Sequence, residues 1–417
     1  MTQQVSAREA IAQIRPGSTI LIGESCGEPQ TLIEALVADK ERLKGSRIIE
    51  CRRITGSSYA PLCDYFHITT MHVTPDYRDA VHGCRADFLP IRLAEAHAFF
   101  QQNPVDVALV QVSPPASRKL CSFSVAVGFT YEAARAARMI IAEVNDRMPW
   151  SYGQNHLGLD HLDYIVPSSR PVLAYPSRAI EEEELAVAHN VARLVPDGAV
   201  LSIGIGGISE AVLTFLAGKK DLGIHSGIIT DGVIELMKSG VISNRTKPVD
   251  RGKTVAALAF GTERLFDFMD RNPAVRMQPF SYTHDVRRIS RFDNYIAVNS
   301  AVEVDLTGQV NAESVGSIQI STIGGQADFA RGAALSRGGK SVITLTSTTR
   351  NSKGSKIVPV LKAGGVVSTP RYDVHCVVTE YGVAELWGKT VKQRVNELIS
   401  VAHPGFRDEL RQAARRL

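Results

Sequence analysis

The chain is predicted to fold as two related α/β domains, because one pattern of residues occurs twice along it. Residues 14–36 and 194–216 each read as the end of a helix, a Pro/Gly turn, a short apolar run, a glycine-rich bend and a second helix. The bends are Gly23-Glu-Ser-Cys-Gly27 and Gly204-Ile-Gly-Gly207. A short apolar strand followed by a glycine bend and a helix is the opening of a doubly wound domain. In such domains ligands bind at the carboxyl edge of the sheet, near helix amino termini that attract anions.

The junction between the two domains is predicted near residue 180. It follows the Pro-rich stretch 170–176 and coincides with the run Glu181–Glu184, which suits the positively polarised first turn of a helix. We therefore divide the chain into domains 1–185 and 186–417. At the other end, the basic stretch 407–416 is typical of the solvated face of a terminal helix.

Composition excludes several function classes. The 417 residues are 44% hydrophobic with a net charge of +4, which is ordinary globular composition and too little charge for a nucleic-acid surface. No apolar run reaches membrane-spanning length and the amino terminus does not read as a signal peptide, so we expect a soluble, cytoplasmic protein. The six cysteines lack zinc spacing, and the pair His156 and His161 is typical of surface residues, so no metal is expected.

Several blocks spread over almost the whole chain resemble the acetyl-CoA hydrolase/CoA-transferase family. They include Gly27-Glu-Pro-Gln, residues 107–115, residues 141–149, Gly223-Ile-His-Ser, Glu303-Val-Asp-Leu-Thr-Gly, residues 323–329 and Val378-Thr-Glu-Tyr-Gly. The resemblance implies two open α/β domains of the class I CoA-transferase fold with the active site between them. It also implies acyl-CoA as ligand, with coenzyme A a substrate or product rather than a cofactor.

The family mechanism that this resemblance implies begins with a glutamate carboxylate that attacks the thioester and then carries CoA as a glutamyl thioester. In the matching segment, Gly223-Ile-His-Ser-Gly227, the position of that glutamate holds Gly227. Asp231 matches an aspartate that the family already has, and Glu235 lies two helical turns farther on, about 12 Å away at 1.5 Å per residue. No covalent glutamyl-CoA is therefore expected at this place.

Two further departures fall at reacting positions of the family. His284 stands where the family has an active-site asparagine. An unperturbed imidazole has a pKa of about 6.5, which suits a general base. The alternative is a histidine that merely replaces the amide as a hydrogen-bonding group. The family's Gly-Val/Ile-Gly loop is here Thr322-Ile323-Gly324-Gly325, in which β-branched Thr322 should stiffen the loop while Gly325 still offers an N–H to the oxyanion.

The remaining candidate residues carry weaker signals. Glu380 matches the family's second active-site glutamate. Cys26, in a glycine-rich bend near a helix amino terminus, is a candidate nucleophile, although a small packing residue is the simpler interpretation. Phe88 is a candidate for the acyl pocket, with a core position as the alternative. Backbone N–H groups at Gly204, Gly206 and Gly207, together with Lys340 after a Gly-Gly pair, are expected to bind CoA through the second domain.

From these observations we expect an acyl-CoA-using enzyme that has abandoned the glutamyl-CoA route. Hydrolysis of the thioester or direct acyl transfer to a small acceptor such as an amine are the favoured reactions. A carboxylate CoA-transferase whose glutamate lies elsewhere, and an inactive CoA-binding paralogue, are the alternatives. The expected partners are acyl-CoA, a small-molecule acceptor and further copies of the chain in a homo-oligomer, with no nucleic acid and no membrane.

Overall fold

The protein was analysed as a computed structural model that describes residues 2–54, 62–116, 119–350 and 353–415. Its contacts divide the chain into two compact units. The first comprises Met1–Pro176 and Val255–Thr283, and the second comprises Ser177–Thr254 and His284–Leu417. The division predicted at residue 185 treated each domain as one continuous stretch, whereas both units are built from two segments. Amino-acid composition does not change where the chain passes from one unit to the other, so the sequence did not show that each unit contains two segments.

The helices of the described residues are short. They are α1 (Ala7–Ala12), α2 (Gln30–Ala38), α3 (Arg78–His82), α4 (Ala96–Gln102), α5 (Thr130–Ala136), α6 (Glu182–Arg193), α7 (Gly207–Phe215), α8 (Gly232–Lys238), α9 (Glu263–Met269), α10 (Phe280–Thr283), α11 (Val286–Ile289), α12 (Gln326–Leu335), α13 (Val391–Val401) and α14 (Arg407–Ala414).

The strands are short, and those up to the second unit are β1 (Gln3–Gln4), β2 (Thr19–Ile22), β3 (Arg47–Glu50), β4 (His67–Thr70), β5 (Ala86–Phe88), β6 (Val107–Val112), β7 (Leu120–Ser122), β8 (Met139–Asn145), β9 (Tyr152–Gly153), β10 (His156–Gly158) and β11 (Tyr164–Ser168). They continue with β12 (Val200–Ile203), β13 (Gly223–Ile224), β14 (Ile228–Ile229), β15 (Thr254–Ala256), β16 (Leu258–Ala259), β17 (Val275–Met277), β18 (Tyr295–Ser300), β19 (Glu303–Asp305), β20 (Val310–Asn311), β21 (Ser314–Val315), β22 (Ile318–Gln319), β23 (Lys340–Thr344), β24 (Ile357–Val358), β25 (Cys376–Thr379) and β26 (Gly382–Glu385).

The first unit is built on a parallel sheet with strand order β1-β11-β8-β6-β2-β3-β4-β5. The first copy of the repeat forms α1, β2, a 3₁₀ turn at Ser25–Gly27 and α2, as the sequence predicts. Its core contains Ile20, Leu32, Ile48 and Leu109, all fully buried. Parallel strands covered on both faces need such continuous apolar runs.

The second unit is built on a sheet with strand order β13-β12-β18-β23-β25-β26, in which only the pair β25 and β26 is antiparallel among the described residues. The second copy of the repeat forms α6, β12 and α7. Helix α6 begins where the acidic run predicts, because Glu181 and Glu184 form a capping box. The basic stretch near the carboxyl terminus forms α14. The doubly wound α/β prediction is confirmed in both units.

In the part of the chain that the structure describes, no helix combines the length and the apolar character needed to cross a bilayer.

Candidate active site

Three residues predicted to belong to the site, Gly227, His284 and Gly325, meet in the second unit. A Cβ atom added to Gly227 would lie 3.0 Å from His284 Cε1 and 3.2 Å from His284 Nε2. A Cβ atom added to Gly325 would overlap His284 Nε2. Real Cβ atoms do not approach as closely as a Cβ on Gly325 would, so the imidazole in its present place requires glycine at 325, and a side chain at position 227 would be in tight contact with it.

Three elements bring these residues together. Gly227 lies three residues beyond β13, His284 lies between α10 and α11, and Gly325 is the residue that caps the amino terminus of α12. Among the described residues we find no acceptor for the Gly325 N–H. This N–H therefore lies at the positive end of a ten-residue helix, where it can donate to an oxyanion.

Phe329 completes the group and was not singled out from the sequence. Its ring centroid lies 4.5 Å from that of His284. Its Cε2 atom would lie 3.3 Å from a Cβ on Gly227 and 2.6 Å from a Cβ on Gly325. The signal that would have found it is spacing, because Phe329 follows Gly325 by four residues on α12 and so lies on the same helix face.

The His284 ring is buried, with 1% of its surface exposed. Burial disfavours the imidazolium and lowers the pKa of His284 to about 3. Protonating this ring costs about 5 kcal/mol more than protonating a solvated imidazole. The lowered pKa disfavours the general-base interpretation of His284 and favours the alternative, a hydrogen-bonding histidine in the place of the amide. His284 is a neutral imidazole throughout the physiological range, as a residue replacing an amide would be.

The segment before Gly227 is held by hydrogen bonds to its backbone. The His225 carbonyl accepts a hydrogen bond from the Tyr295 hydroxyl at 2.6 Å, and the Ser226 hydroxyl donates to the Ile203 carbonyl at 3.2 Å. Both His225 and Ser226 are buried. These contacts order the loop that leads to Gly227.

The loop before α12 has one position that requires glycine. Gly324 has φ +55°, in the left-handed region that side chains disfavour. Thr322 is largely buried, and the N–H of Gln326 donates to the Ile323 carbonyl at 3.2 Å. The stiffening of this loop by Thr322 stays a prediction.

Glu380 lies at the carboxyl end of β25, next to Ser347. Its carboxylate accepts hydrogen bonds from the Ser347 N–H at 2.9 Å and from the Ser347 hydroxyl. Burial lowers the pKa of the neighbouring Lys356, and the Glu380 charge opposes this shift. In the sheet β25 is four strands from β13, about 19 Å at a strand spacing of about 4.8 Å. The structure thus places Glu380 on the same sheet edge as Gly227 but in a separate set of contacts.

The glycine bend predicted to bind CoA already faces a carboxylate. A Cβ on Gly207 would overlap the carboxyl group of Glu184, which forms an ion pair with Arg178. Gly204 follows β12, and Gly206 has φ +112° just before α7. The bend is formed as predicted, but an anionic ligand here would meet the Glu184 charge.

Lys340 is separated from these residues. It is the first residue of β23, so it lies at the amino edge of the sheet, whereas the bends after β12 and β13 and the residue Glu380 lie at the carboxyl edge. A five-residue strand spans about 16 Å. Lys340 and the glycine bend thus sit at opposite ends of parallel strands, and that both belong to the CoA site of the second domain stays a prediction.

Two candidates lie in the first unit. Cys26 is fully buried in the 3₁₀ turn after β2, and burial raises the pKa of its thiol to about 12. This raised pKa disfavours a thiolate at Cys26 and favours the interpretation as a small packing residue, while the role of Cys26 as nucleophile stays an untested prediction. Phe88 ends the edge strand β5 and packs against the core of the first unit, as its alternative interpretation states. That Cys26 and the second unit's glycines share one cleft stays a prediction.

The histidines considered as metal ligands have other partners. His156 stacks on Trp150 at 4.5 Å between ring centroids, and His161 is paired with Asp160. Within the described ranges no group of three or more His, Cys, Asp or Glu side chains is arranged to hold a metal ion.

Comparison with known proteins agrees with this fold and these segments. Residues 2–175 match the family model for the acetyl-CoA hydrolase/transferase N-terminal domain, and residues 261–414 match that for its C-terminal domain. The chain belongs to the acetyl-CoA hydrolase/transferase family. It is an enzyme of the CoA-transferase and hydrolase type.

Individual relatives cover nearly the whole chain. The chain is 43% identical over 410 residues to the 4-hydroxybutyrate coenzyme A transferase of Clostridium kluyveri. The match covers 97% of this chain and 96% of that protein. RipA from Yersinia pestis superposes with a TM-score of 0.94 at 31% identity, covering 99% and 97% of the two chains. The 4-hydroxybutyrate CoA-transferase of Porphyromonas gingivalis superposes with a TM-score of 0.85 at 33% identity, with the same coverage.

Proposed function

We propose that this enzyme cleaves an acyl-CoA thioester by direct attack of water or a small amine, without a glutamyl-CoA intermediate. The observation that carries the proposal is the contact of Gly227 and Gly325 with the His284 ring. Glycine offers no nucleophile, and a Cβ atom at position 227 would already lie within 3.3 Å of the His284 and Phe329 rings.

The geometry supports a reaction in which charge develops on the thioester oxygen. The Gly325 N–H at the start of α12 donates to that oxygen, and His284, being neutral, donates its own ring N–H to it. A neutral histidine with a depressed pKa is well suited to polarising a carbonyl group. Preorganised donors of this kind need no rearrangement when the tetrahedral intermediate forms.

The bond changes are the same for both acceptors. The oxygen of water or the nitrogen of an amine bonds to the acyl carbon, the C–S bond breaks, and the CoA sulfur takes up the proton that the nucleophile loses. The products are CoA and either a carboxylic acid or an amide. Coenzyme A thus enters as part of the acyl-CoA substrate and leaves as a product, and the reaction uses no separate cofactor.

The wider arrangement of the site is part of this proposal. The second unit binds CoA through the backbone around Gly204, Gly206 and Gly207, with Arg178 balancing the Glu184 charge. Glu380, held by Ser347, lies at the same sheet edge and positions the reacting groups. The enzyme acts as a homo-oligomer in the cytoplasm.

A carboxylate CoA-transferase is the second candidate, because the Clostridium kluyveri and Porphyromonas gingivalis relatives carry that name. This reaction requires a carboxylate nucleophile from a position other than 227. One experiment separates the two candidates. A panel of acyl-CoAs is incubated with the protein and thiol release is measured with water alone, with amines and with acetate.

Release with water alone or with amines is the expected result. Exchange that depends on acetate, together with a glutamyl thioester detected by mass spectrometry after borohydride reduction, would establish the transferase and reject the proposal. The variant His284→Ala should release thiol much more slowly than the wild type if the reaction uses this site.

A further inference from the structure

The two-residue strand β13 lies at the edge of the second unit's sheet and leads into the active-site loop. On its inner side the N–H groups of Gly223 and His225 donate to β12, at Ala199 and Leu201. The N–H and carbonyl of Ile224 therefore face away from β12. Edge strands leave such outward groups without a neighbouring strand.

Two side chains take the place of that missing neighbour. Ile224 N–H donates to Asn244 Oδ1 at 2.8 Å, and the Ile224 carbonyl accepts a hydrogen bond from Lys247 Nζ, also at 2.8 Å. Asn244 is itself fixed, because its Nδ2 donates to the Thr254 hydroxyl at 3.0 Å. Both outward groups of Ile224 are thus held by residues from one following loop.

Lys247 is unusual because a lysine is rarely buried. Only 1% of its surface is exposed, and its Nζ also donates to the Lys253 carbonyl at 2.6 Å. The aliphatic chain lies where a side chain on Gly223 would be, since a Cβ there would be 3.0 Å from Lys247 Cδ. Burial lowers the pKa of Lys247 to about 7, and Asp250 is the carboxylate that opposes this shift.

The residues beyond Ile224 continue the same set of contacts. His225 is held by Tyr295 through its carbonyl, and its ring lies 4.9 Å from that of Phe292. Phe292 in turn lies 5.7 Å from Lys247 Nζ. Gly227, two residues after His225, therefore extends from a backbone whose position depends on Lys247. A Cβ built on Gly227 would lie 3.0 Å from His284 Cε1, so this backbone passes close to the His284 ring.

We propose that Lys247 is a positioning residue of the active site: its hydrogen bond to the Ile224 carbonyl sets the position of Gly227 against the His284 ring. Lys247 touches neither His284 nor substrate in this role. The kinetic part of the inference rests on the proposed thioester cleavage, whereas its geometric part does not.

The test uses the full-length protein and three variants. Lys247→Met keeps the buried chain but removes the donor, and Lys247→Gln keeps a donor that is too short to reach at the present distance. Lys238→Met, at an exposed lysine on α8, is the matched control. Each is measured for kcat and KM of thiol release and for the ring resonances of His284 and His225 by NMR.

We expect Lys247→Met to lower kcat about tenfold with KM for acyl-CoA changed less than twofold, since misplacement by 1 Å costs about a hundredfold. The His284 resonances should shift in Lys247→Met and in Lys247→Gln, with a kcat loss of at least about threefold in the latter. Lys238→Met should match the wild type in both measurements.

The outcomes separate the two ideas. If the wild type releases no thiol under any condition, the proposed function fails, and the NMR measurement still decides the role of Lys247. If both Lys247 variants leave the His284 resonances and kcat at wild-type values, the positioning role is rejected. Should Lys247→Met fail to fold, as shown by circular dichroism, Lys247→Gln provides the same decision.

Discussion

Replacing Gly227 by glutamate places a carboxylate at the position where the family resemblance puts the nucleophile, next to the closely packed rings of His284 and Phe329. The new Cβ would be 3.0 Å from His284 Cε1 and 3.3 Å from Phe329 Cε2. Overpacking of this kind typically costs about 1–3 kcal/mol. For a unit of this size each kcal/mol lowers the melting temperature by about 2–4 °C, so we expect Gly227→Glu to lower Tm by roughly 2–12 °C.

The double variant Gly227→Glu with His284→Asn separates this contact from other effects of the substitution. Asparagine is shorter than histidine and removes the ring atoms that the new Cβ would meet. The two changes should therefore be non-additive, with the second substitution recovering about 1–2 kcal/mol of the loss. Gly218→Glu is the control, because a Cβ at Gly218 meets nothing within 4 Å and the backbone there is not left-handed.

Two assays follow the variants. Scanning calorimetry gives the melting temperatures, and transfer of CoA from acetyl-CoA to labelled acetate reports the family reaction. We expect no exchange in the wild type, little in Gly227→Glu, and weak exchange in the double variant, since Thr322 still differs from the family. The steric argument is wrong if Gly227→Glu has the melting temperature of the wild type and if adding His284→Asn does not change the effect of the glutamate. A glutamyl adduct on the wild-type protein would reject the whole mechanism.

The remaining predictions concern single groups. His284→Ala should lower thiol release about 10²-fold, as for the loss of an oxyanion donor, and His284→Gln less. Because the pKa of His284 is about 3, its titration should not change the reaction rate between pH 5 and 8. A change of rate near pH 6.5 that disappears in His284→Gln would contradict this. Cys26→Ala should change turnover less than about twofold, because the thiol stays protonated at a pKa of about 12; a loss above tenfold would revive the thiol mechanism. Glu24 is buried and its folded-state pKa is raised to about 8, mainly by desolvation, so the folded state holds a proton that the unfolded state releases above about pH 4.5. Stability should therefore fall as pH rises from about 5 to 8, by as much as roughly 5 kcal/mol, and calorimetry of Glu24→Gln should show that slope reduced.

Local features of the chain were predictable from sequence because their causes are local. The alternation of apolar runs with glycine bends at 14–36 and 194–216 predicts the helix, strand and helix that both units contain. The acidic run at Glu181–Glu184 predicts the start of α6, which the structure confirms. The prediction that position 227 lacks the family's carboxylate likewise rests on one residue in a short segment. Each of these depends on neighbours within a few residues.

What depended on distant residues was not predictable in this way. The burial that makes His284 a neutral ring, and that raises the pKa of Cys26, comes from elements far away in the chain. The sequence shows a glycine and a histidine as two separate departures, whereas the structure shows that the His284 ring packs close to the Gly227 backbone. Likewise, Lys340 and the glycine bend look alike as anion sites until the direction of the strands places them at opposite edges of the sheet. Propensity and motif act along the chain, but desolvation and steric fit are set by packing across it, and packing is decided only when the tertiary structure forms.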